Sequence, residues 1–264
     1  MAIRALSIAA TGMQAQQTNV EVISNNIANM NTTAYTRRRT EFNDLLYQDL
    51  RRIGSTSSTS GTIVPSGVQL GLGVTTAAVY RINEQGSLTS TDNSLDLAVQ
   101  GRGYFQVLLP SGQTAYTRDG SFQLSPTGQV VTHDGYTVQG IGAIPVNATS
   151  ISVNPQGQVF YTLDGVITPT QAGQVQTAIF PNDAGLEAVG NNSLLQTPAS
   201  GAPSVSTPGQ PGYGTLLQGF LESSNVNVVS EITNLISAQR AYEMNSKVVT
   251  AADEMSSTLS RLGS

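Results

Sequence analysis

The sequence has 264 residues, which is enough for one large domain or two modest ones. Charged residues make up only 11% of it, against about 25% in typical soluble domains, so little charge keeps copies of the chain apart and assembly is favoured. The formal net charge of −5 argues against nucleic acid as a partner, the absence of Cys excludes disulfides and thiolate metal sites, and no apolar run is long enough for a membrane span.

The N-terminal residues predict a long amphipathic helix. No Pro occurs before residue 28, and the apolar or small positions recur every three or four residues, which is the spacing of one helix stripe. These positions are Ile3, Leu6, Ala10, Met13, Gln17, Val20, Ser24 and Ile27. The Asn- and Thr-rich stretch 29–33 predicts the end of this helix and a turn. The start is too short and too regular for a secretory signal, so we expect any export to keep the N-terminus.

The next stretch predicts a shorter helix, an arm and a strand. Residues 40–53 predict a helix because Phe42, Leu45, Leu46 and Ile53 share one helical face, and Thr40 is suited to the N-cap. Residues 55–62 are rich in Ser, Thr and Gly and predict a flexible loop or an extended arm. From residue 68 to residue 75 apolar and polar or glycine positions alternate, which predicts one half-buried strand.

Short strands separated by turn residues predict an antiparallel β-domain over residues 95–184. Pro110-Ser111-Gly112, Asp119-Gly120 and Asp134-Gly135 each lie between runs of apolar or β-branched residues. Asp-Gly is a strong hairpin signal, so we expect a hairpin at each of these turns. Residues 197–214 are rich in Pro, Gly and Ser and predict a linker.

The last forty residues predict a second long helix, from about residue 225 to residue 262. It would be about 57 Å long at ~1.5 Å per residue, which is too long for one small domain, so it needs a partner helix. The pattern fits an intramolecular helix hairpin and a seam between copies equally well. The expected seam residues of the two helices are Leu6, Met13, Val20, Ile27, Ile232, Leu235, Gln239, Tyr242, Val249, Met255 and Leu259.

These elements predict an α+β fold in which long terminal helices pair as a coiled-coil-like layer around an inserted antiparallel β-domain. We expect a terminal helical domain of residues 1–54 plus 223–264. Extended arm and linker strands are expected over 55–94 plus 185–222, and the β-domain over 95–184.

The sequence offers no combination of residues suited to catalysis. His133, the one histidine, lies in the turn-like stretch His133-Asp134-Gly135, and most carboxylates stand singly in similar turns. A glycosidase would need two carboxylates held about 5–9.5 Å apart, and nothing pairs any two of them here. We therefore expect no enzyme, no cofactor and no metal site.

Three stretches resemble the signatures of bacterial flagellar rod and hook proteins. The first is Asn25 to Tyr35, the second runs from Leu221 to Lys247, and the third comprises Gly103 to Val107 with Ala115 to Phe122. The layout most resembles the distal rod proteins. One departure is Ala34, where the family more usually has Gly, and it argues against a left-handed backbone at this position. The signature residues are Asn25, Asn26, Asn29, Thr32, Tyr35, Asn225, Asn227, Arg240, Tyr242 and Asn245.

The resemblance implies a subunit of a helical polymer that forms a hollow, torque-transmitting drive shaft across the periplasm in the flagellar basal body. Its implied partners are copies of itself, the proximal rod proteins, the hook protein, the P- and L-ring proteins and the flagellar type III export apparatus. Residues 46–69 resemble an extension that distinguishes distal rod proteins from hook proteins and is associated with rigidity. The alternative is a secreted trimeric fibre or adhesin, or a phage-tail-like structural protein, which also join coiled coils to β-domains.

Overall fold

The computed structural model describes residues 2–54, 66–166 and 168–262. These residues form an α+β structure, as the sequence predicts, with one long helix near each end and many short strands between them. The helices are α1 (Ala2–Ala28) and α2 (Val228–Leu262). Contacts divide the chain into two compact units. The helical unit comprises the described residues of Met1–Ala28, Arg38–Arg81 and Asn227–Ser264, and the β-unit comprises those of Asn29–Arg37 and Ile82–Val226.

In the helical unit, α1 packs against α2 and against two strands. The strands of this unit are β1 (Arg38–Asp44), β2 (Tyr47–Arg51), β3 (Val68–Gly71) and β4 (Val74–Arg81). β1 pairs with β4, and β2 pairs with β3, both antiparallel. The face of β4 and β1 toward α1 gives the helix its second packing surface.

The helix predicted over residues 40–53 is wrong, because β1 and β2 occupy this stretch. Thr40 is buried and Phe42 half-buried, whereas Glu41 and Asn43 are exposed, which is the two-residue alternation of a strand. The apolar spacing fits a helix as well as a strand, and pairing with β4, more than thirty residues away, decides between them.

The single strand predicted over residues 68–75 is also wrong, because β3 and β4 divide it between two different partners. Gly73 lies between them with φ of 127°, a conformation that a residue with a side chain rarely adopts. A Cβ at this position would collide with the Thr11 hydroxyl of α1. The arm predicted over residues 55–62 lies outside the described residues.

The β-unit contains sixteen strands among its described residues, all paired antiparallel. The largest sheet has the order β16-β17-β8-β7-β11-β10-β9, with β15 joining β7 to β18, and β12-β13-β14 form a separate three-stranded sheet. β19 pairs with β6, and β20 with β5. The strands are β5 (Leu88–Ser90), β6 (Leu97–Gln100), β7 (Tyr104–Leu108), β8 (Thr114–Thr117), β9 (Gln123–Leu124), β10 (Val130–Val131), β11 (Thr137–Val138), β12 (Ala148–Val153), β13 (Gln158–Leu163), β14 (Thr170–Gln174), β15 (Thr177–Ile179), β16 (Glu187–Gly190), β17 (Ser193–Leu195), β18 (Ser204–Ser206), β19 (Thr215–Gln218) and β20 (Phe220–Glu222).

Two apolar clusters hold the β-unit together. The larger one is centred on Phe105 and Phe122, whose rings meet edge to face with centroids 5.2 Å apart. In the smaller one, Phe180 contacts Tyr104 and Tyr116 edge to face, with centroids 6.0 and 4.8 Å apart. Large buried aromatic side chains of this kind supply most of the burial energy of a small domain.

Two of the three predicted hairpin turns are confirmed. Gly112 closes the turn between β7 and β8, and Gly135 closes the one between β10 and β11. The hairpin predicted at Asp119-Gly120 is wrong, since β8 pairs with β7 and β17 whereas β9 pairs with β10. Asp119 instead accepts hydrogen bonds from the backbone and hydroxyl of Ser121, so the motif makes a local turn without a strand pair.

Candidate functional site

The two long helices run antiparallel and approach closely. A Cβ built on Gly12 of α1 would lie 2.9 Å from Nδ2 of Asn245 on α2. Further along, Nδ2 of Asn26 donates to Oε2 of Glu231 at 3.1 Å. The two contacts are 14 residues apart on each helix, at residues 12 and 26 of α1 and residues 245 and 231 of α2. The helices therefore keep the same register at both contacts.

The buried residues of α2 recur every seven residues, whereas those of α1, which also packs against β1 and β4, do not. On α2, Glu231, Ala238 and Ala252 are buried and Asn245 is half-buried, at intervals of seven or fourteen. On α1 the buried residues are Ala9, Ala15, Ile23 and Asn26. Four of these eight side chains are alanine, and small side chains allow the two helix backbones to approach closely.

The predicted seam residues lie mostly beside this contact face. Leu6, Met13, Val20 and Ile27 of α1 are half-buried, as are Leu235 and Val249 of α2. Ile232, Gln239, Tyr242 and Met255 are exposed, and the side chain of Leu259 is not among those described. The apolar row predicted on α1, which includes Met13 and Ile27, is therefore offset by about one residue from Gly12 and Asn26, which contact α2.

Two groups of large apolar side chains on α2 are exposed, one near the start of the helix and one from its middle onward. Their members are each 45–76% exposed: Val229, Ile232, Ile236, Met244, Val248 and Met255. We call this set the outer row. Clustered apolar side chains exposed on a helix are typical of a surface that meets another helix or another chain.

Asn26 joins three elements of the helical unit. Its Oδ1 accepts a hydrogen bond from the Arg38 backbone N–H at 2.8 Å, and its Nδ2 donates to the Arg38 carbonyl at 2.8 Å. The same Nδ2 group donates to Glu231. With 1% exposure, Asn26 thus binds the start of β1 and the first turns of α2 to the end of α1.

Other signature residues cap a helix or form a turn. Asn227 is the N-cap of α2, since its Oδ1 accepts a hydrogen bond from the Ser230 backbone N–H at 3.1 Å. In the β-unit, the hydroxyl of Thr32 donates to Oδ1 of Asn29 at 3.1 Å, and the Tyr35 N–H donates to the Thr32 carbonyl at 3.3 Å. Asn25 and Arg240 lie exposed on the two helices.

Ala34 in this turn corrects a prediction. It adopts φ of 56°, the left-handed conformation that its substitution for Gly argues against. Its backbone N–H donates to the Glu222 carbonyl at 2.7 Å, and this bond holds it there in spite of the cost of the Cβ.

The β-unit contains a buried ion pair between Arg118 and Glu222. Nε of Arg118 lies 2.9 Å from Oε2 of Glu222, and the guanidinium also donates to the carbonyls of Gly101 and Gly103 at 3.0 Å. The other carboxylate oxygen of Glu222 accepts from the Gly86 N–H at 3.0 Å. With both partners hydrogen-bonded throughout, the pair fastens β20 to the segments before β5 and after β8.

Asn225 makes a similar set of contacts in the β-unit. Its Oδ1 accepts from the Arg37 N–H at 2.7 Å, and its Nδ2 donates to the carbonyls of Ile82 and Glu84, each at 2.9 Å. Its own N–H donates to the Tyr35 carbonyl at 3.3 Å.

The described residues offer no candidate metal cluster, and the charged side chains around one cleft are paired. They contain no cluster of three or more His, Asp or Glu side chains that could hold a metal. A cleft of about 250 Å³ in the β-unit is bordered by Glu84, Arg102, Arg118 and Asp183, but each of these forms an ion pair. Burial raises the pKa of Tyr116, a residue of the aromatic cluster that also lines an open cleft of about 540 Å³ with Gln113 and Leu195. Neither described helix has an apolar stretch long enough to span a membrane.

Comparison with known proteins assigns the chain to a class. Family models match it in three places: "Flagella basal body rod protein" over residues 6–36, "Flagellar hook protein FlgE/F/G D1 domain" over 98–161, and "Flagellar basal body rod FlgEFG protein C-terminal" over 217–262. These ranges contain the three stretches on which the resemblance rests, and they define an axial protein of the bacterial flagellum.

Relatives over the full length narrow the class to a family. The flagellar basal-body rod protein FlgG of Caulobacter vibrioides is 58% identical over 262 residues, which cover 99% of this chain and 100% of the relative. FlgG of Agrobacterium fabrum is 52% identical over 98% of this chain and 99% of its own, and FlgG of Bacillus subtilis 37% over 96% of each. The chain belongs to the FlgG family of flagellar basal-body rod proteins, the structural subunits of the distal rod.

Sequence reasoning missed the residues that join the two helices and the Arg118–Glu222 ion pair of the β-unit. Glu231 is charged and Ala238 is small, so neither stands out as a core residue. Their seven-residue spacing was the available signal. Arg118 and Glu222 lie in the quoted signatures, but 104 residues separate them, and no pattern in the sequence pairs them.

Proposed function

We propose that this rod subunit polymerises helically into the hollow drive shaft that crosses the periplasm and carries torque from the motor to the hook. The observation that carries this proposal is the outer row of α2, an exposed apolar surface on a chain with little charge. Covering such a row with another copy removes apolar area from water, and few like charges oppose the approach.

In this proposal α1 and α2 pair as a coiled-coil-like layer, and the outer row then contacts neighbouring subunits. The seven-residue spacing of the buried residues of α2 and the equal register at Gly12 and Asn26 support the paired layer. The predicted seam residues beside the contact face, such as Tyr242 and Val249, become buried between subunits when the polymer forms.

The ribbon of β2 and β3 is a second proposed contact with neighbouring copies. It includes the described part of residues 46–69, the stretch that resembles the distal-rod extension. Leu46 is 83% exposed, and Tyr47, Leu50 and Ile53 are exposed as well. A two-stranded ribbon with apolar residues in water is marginal by itself, so contact with a neighbouring copy would stabilise it.

The proposed partners follow from this assembly. They are copies of the same chain along the shaft, proximal rod proteins at one end, the hook protein at the other, and the P- and L-ring proteins around it, with delivery by the flagellar type III export apparatus. The family matches support membership of the basal body, in which these proteins meet. The comparisons give no support to the secreted fibre or the phage-tail-like alternative.

The test places a charge in the outer row, at Val248, and at Tyr242, an exposed predicted seam residue of α2 outside that row. We expect Val248→Asp and Tyr242→Asp to abolish polymerisation of purified protein, measured by sedimentation and electron microscopy, because a buried unpaired carboxylate is costly. Asn234→Asp adds the same charge at an exposed polar position of α2 and serves as the matched control. Near-ultraviolet circular dichroism checks that the aromatic clusters of the β-unit are unchanged. Rods of normal length from both Val248→Asp and Tyr242→Asp would refute the proposal.

A further inference from the structure

Asn225 joins three separate segments of the β-unit, its own and two others. Its amide accepts from the Arg37 N–H and donates to the Ile82 and Glu84 carbonyls, and its backbone lies in the segment after β20. The segments also bond to one another. The Ile82 N–H donates to the Arg37 carbonyl at 2.9 Å, and Arg37 and Glu84 form an ion pair at 3.0 Å.

These segments carry most of the chain connections out of the β-unit. The chain passes between the two units at four peptide bonds, those after residues 28, 37, 81 and 226. Three of the four lie at Arg37, at Ile82 or one residue beyond Asn225. Any force that enters the β-unit along the backbone at these bonds therefore reaches a segment held by this side chain.

We propose that Asn225 is a load-sharing clamp, a positioning residue whose amide fastens the three linking segments into one piece. A pull on one segment is then divided among all three, and no single segment is drawn away from the β-unit alone. The clamp lies wholly within the β-unit, and its mechanical role rests on the proposed torque-carrying function.

The chemistry of the clamp requires an amide. Asn offers one acceptor and two donors, and all three are used here, whereas an ionised Asp offers acceptors only. In Asn225→Asp a carboxylate oxygen would face the Ile82 and Glu84 carbonyls, so two attractive contacts become repulsive. Asn225→Ala removes the contacts without adding a charge.

Asn227 supplies a matched control two residues further along. Its Oδ1 accepts a hydrogen bond at the start of α2, a task that Asp performs as well as Asn. Asn227→Asp makes the same chemical change as Asn225→Asp and retains the accepting oxygen on which the N-cap depends.

The first measurement is amide hydrogen exchange on the purified full-length chain. We expect exchange at Arg37 to be at least about tenfold faster in Asn225→Ala and Asn225→Asp than in the wild type and in Asn227→Asp. Val107 in the β-unit core should keep its protection in all four proteins. Unchanged protection at Arg37 would overturn the clamp. Loss of protection at both Arg37 and Val107 in the Ala variant would also overturn it, because Asn225 would then be a general stability residue.

The second measurement tests the load. Cells with Asn225→Ala should swim normally in dilute medium and lose at least half of their swimming speed, relative to Asn227→Asp cells, as viscosity is raised. Equal speeds at every viscosity, with faster exchange at Arg37, would overturn load sharing. Failure of the proposed polymer would instead appear in the Val248→Asp and Tyr242→Asp variants, and the exchange result does not depend on it.

Discussion

Two asparagine side chains, Asn26 and Asn225, hold backbone segments in the same way in different units of the chain. Each amide uses its oxygen to accept from a backbone N–H and its nitrogen to donate twice. Backbone groups outside regular structure need such partners when water is excluded. The resemblance assigned both residues to the signatures, but their partners follow from the fold alone.

Ala34 gives a prediction at this scale. Its left-handed backbone costs a residue with a Cβ about 1–2 kcal/mol. Gly removes this cost, but its greater conformational freedom stabilises the unfolded state by about 0.4–1 kcal/mol. We therefore expect Ala34→Gly to raise the free energy of unfolding of the β-unit by about 0.5 kcal/mol, measured by urea unfolding. Ala188→Gly, at an exposed position of β16, should lower it by about 0.5–1 kcal/mol. A loss of stability in Ala34→Gly would contradict the argument.

Tyr116 gives a prediction about pH. Burial raises its pKa above the usual value, so the folded chain keeps the phenol proton at a pH at which the unfolded chain has lost it. The unfolded state then binds fewer protons, and stability falls as pH rises above about 10. Tyr116→Phe retains the ring against Phe180, so its urea midpoint should fall less between pH 9 and pH 11. Equal falls in both proteins would show that Tyr116 does not cause the loss.

At the scale of elements, the sequence predicts the long helices well and the short strands of the helical unit poorly. Uninterrupted three- and four-residue spacing identifies α1 and α2, because only a helix uses it over so many turns. Phe42, Leu45 and Leu46 are too few apolar positions to distinguish a helix from a strand. β1 is a strand because β4 is available to pair with it, and a local pattern carries no information about a partner that far along the chain.

The surface that joins the helices is likewise only partly predictable. The spacing shows that each helix has an apolar stripe, but it does not show which residues contact the other helix and which remain outside. Gly12, Asn26 and Glu231 lie at the contact itself, and small or polar residues carry no hydrophobic signal. The large residues that do carry it, such as Met244 and Val248, lie in the outer row.

The close approach at Gly12 can be tested directly. A Cβ at this position would lie 2.9 Å from the Asn245 amide, so we expect Gly12→Val to destabilise the helix pair by about 1–3 kcal/mol. Thermal melting followed at 222 nm measures the change, with Ser24→Val at an exposed position of α1 as the control. Adding Asn245→Ala to Gly12→Val should restore part of the loss. If Gly12→Val melts like the control, the helices are not as close as this contact requires.

At the scale of the whole molecule, the two units differ in how much apolar volume they bury. The helical unit buries mainly Ala residues together with Ile23, whereas the β-unit buries Phe105, Phe122 and Phe180. Burial of large side chains contributes about 1.5–3 kcal/mol each, so the β-unit has the larger reserve of stability. The helical unit, which has the smaller reserve of stability, is the one that carries the outer row.

This difference predicts an order of hydrogen exchange in dilute monomer. Amides of α1 and α2 should exchange at least about tenfold faster than those of β6 and β7, since helices of this kind depend on packing for stability. Polymerised protein should show strong protection in both helices and little change in β6 and β7. Equal protection of helices and strands in the monomer would mean that the helix pair is already stable without neighbouring copies.

The contacts that close each unit also join residues far apart in the sequence. Asn26 and Glu231 are 205 residues apart, Arg37 and Asn225 are 188 apart, and Arg118 and Glu222 are 104 apart. A chain that emerges from a narrow channel one end first cannot form the first two contacts until nearly all of its length has passed, whichever end leads. The third needs nearly the whole length only if the N-terminal end leads. Such non-local closure is slow in any chain, and in the proposed export it would delay completion of the fold until transport is finished.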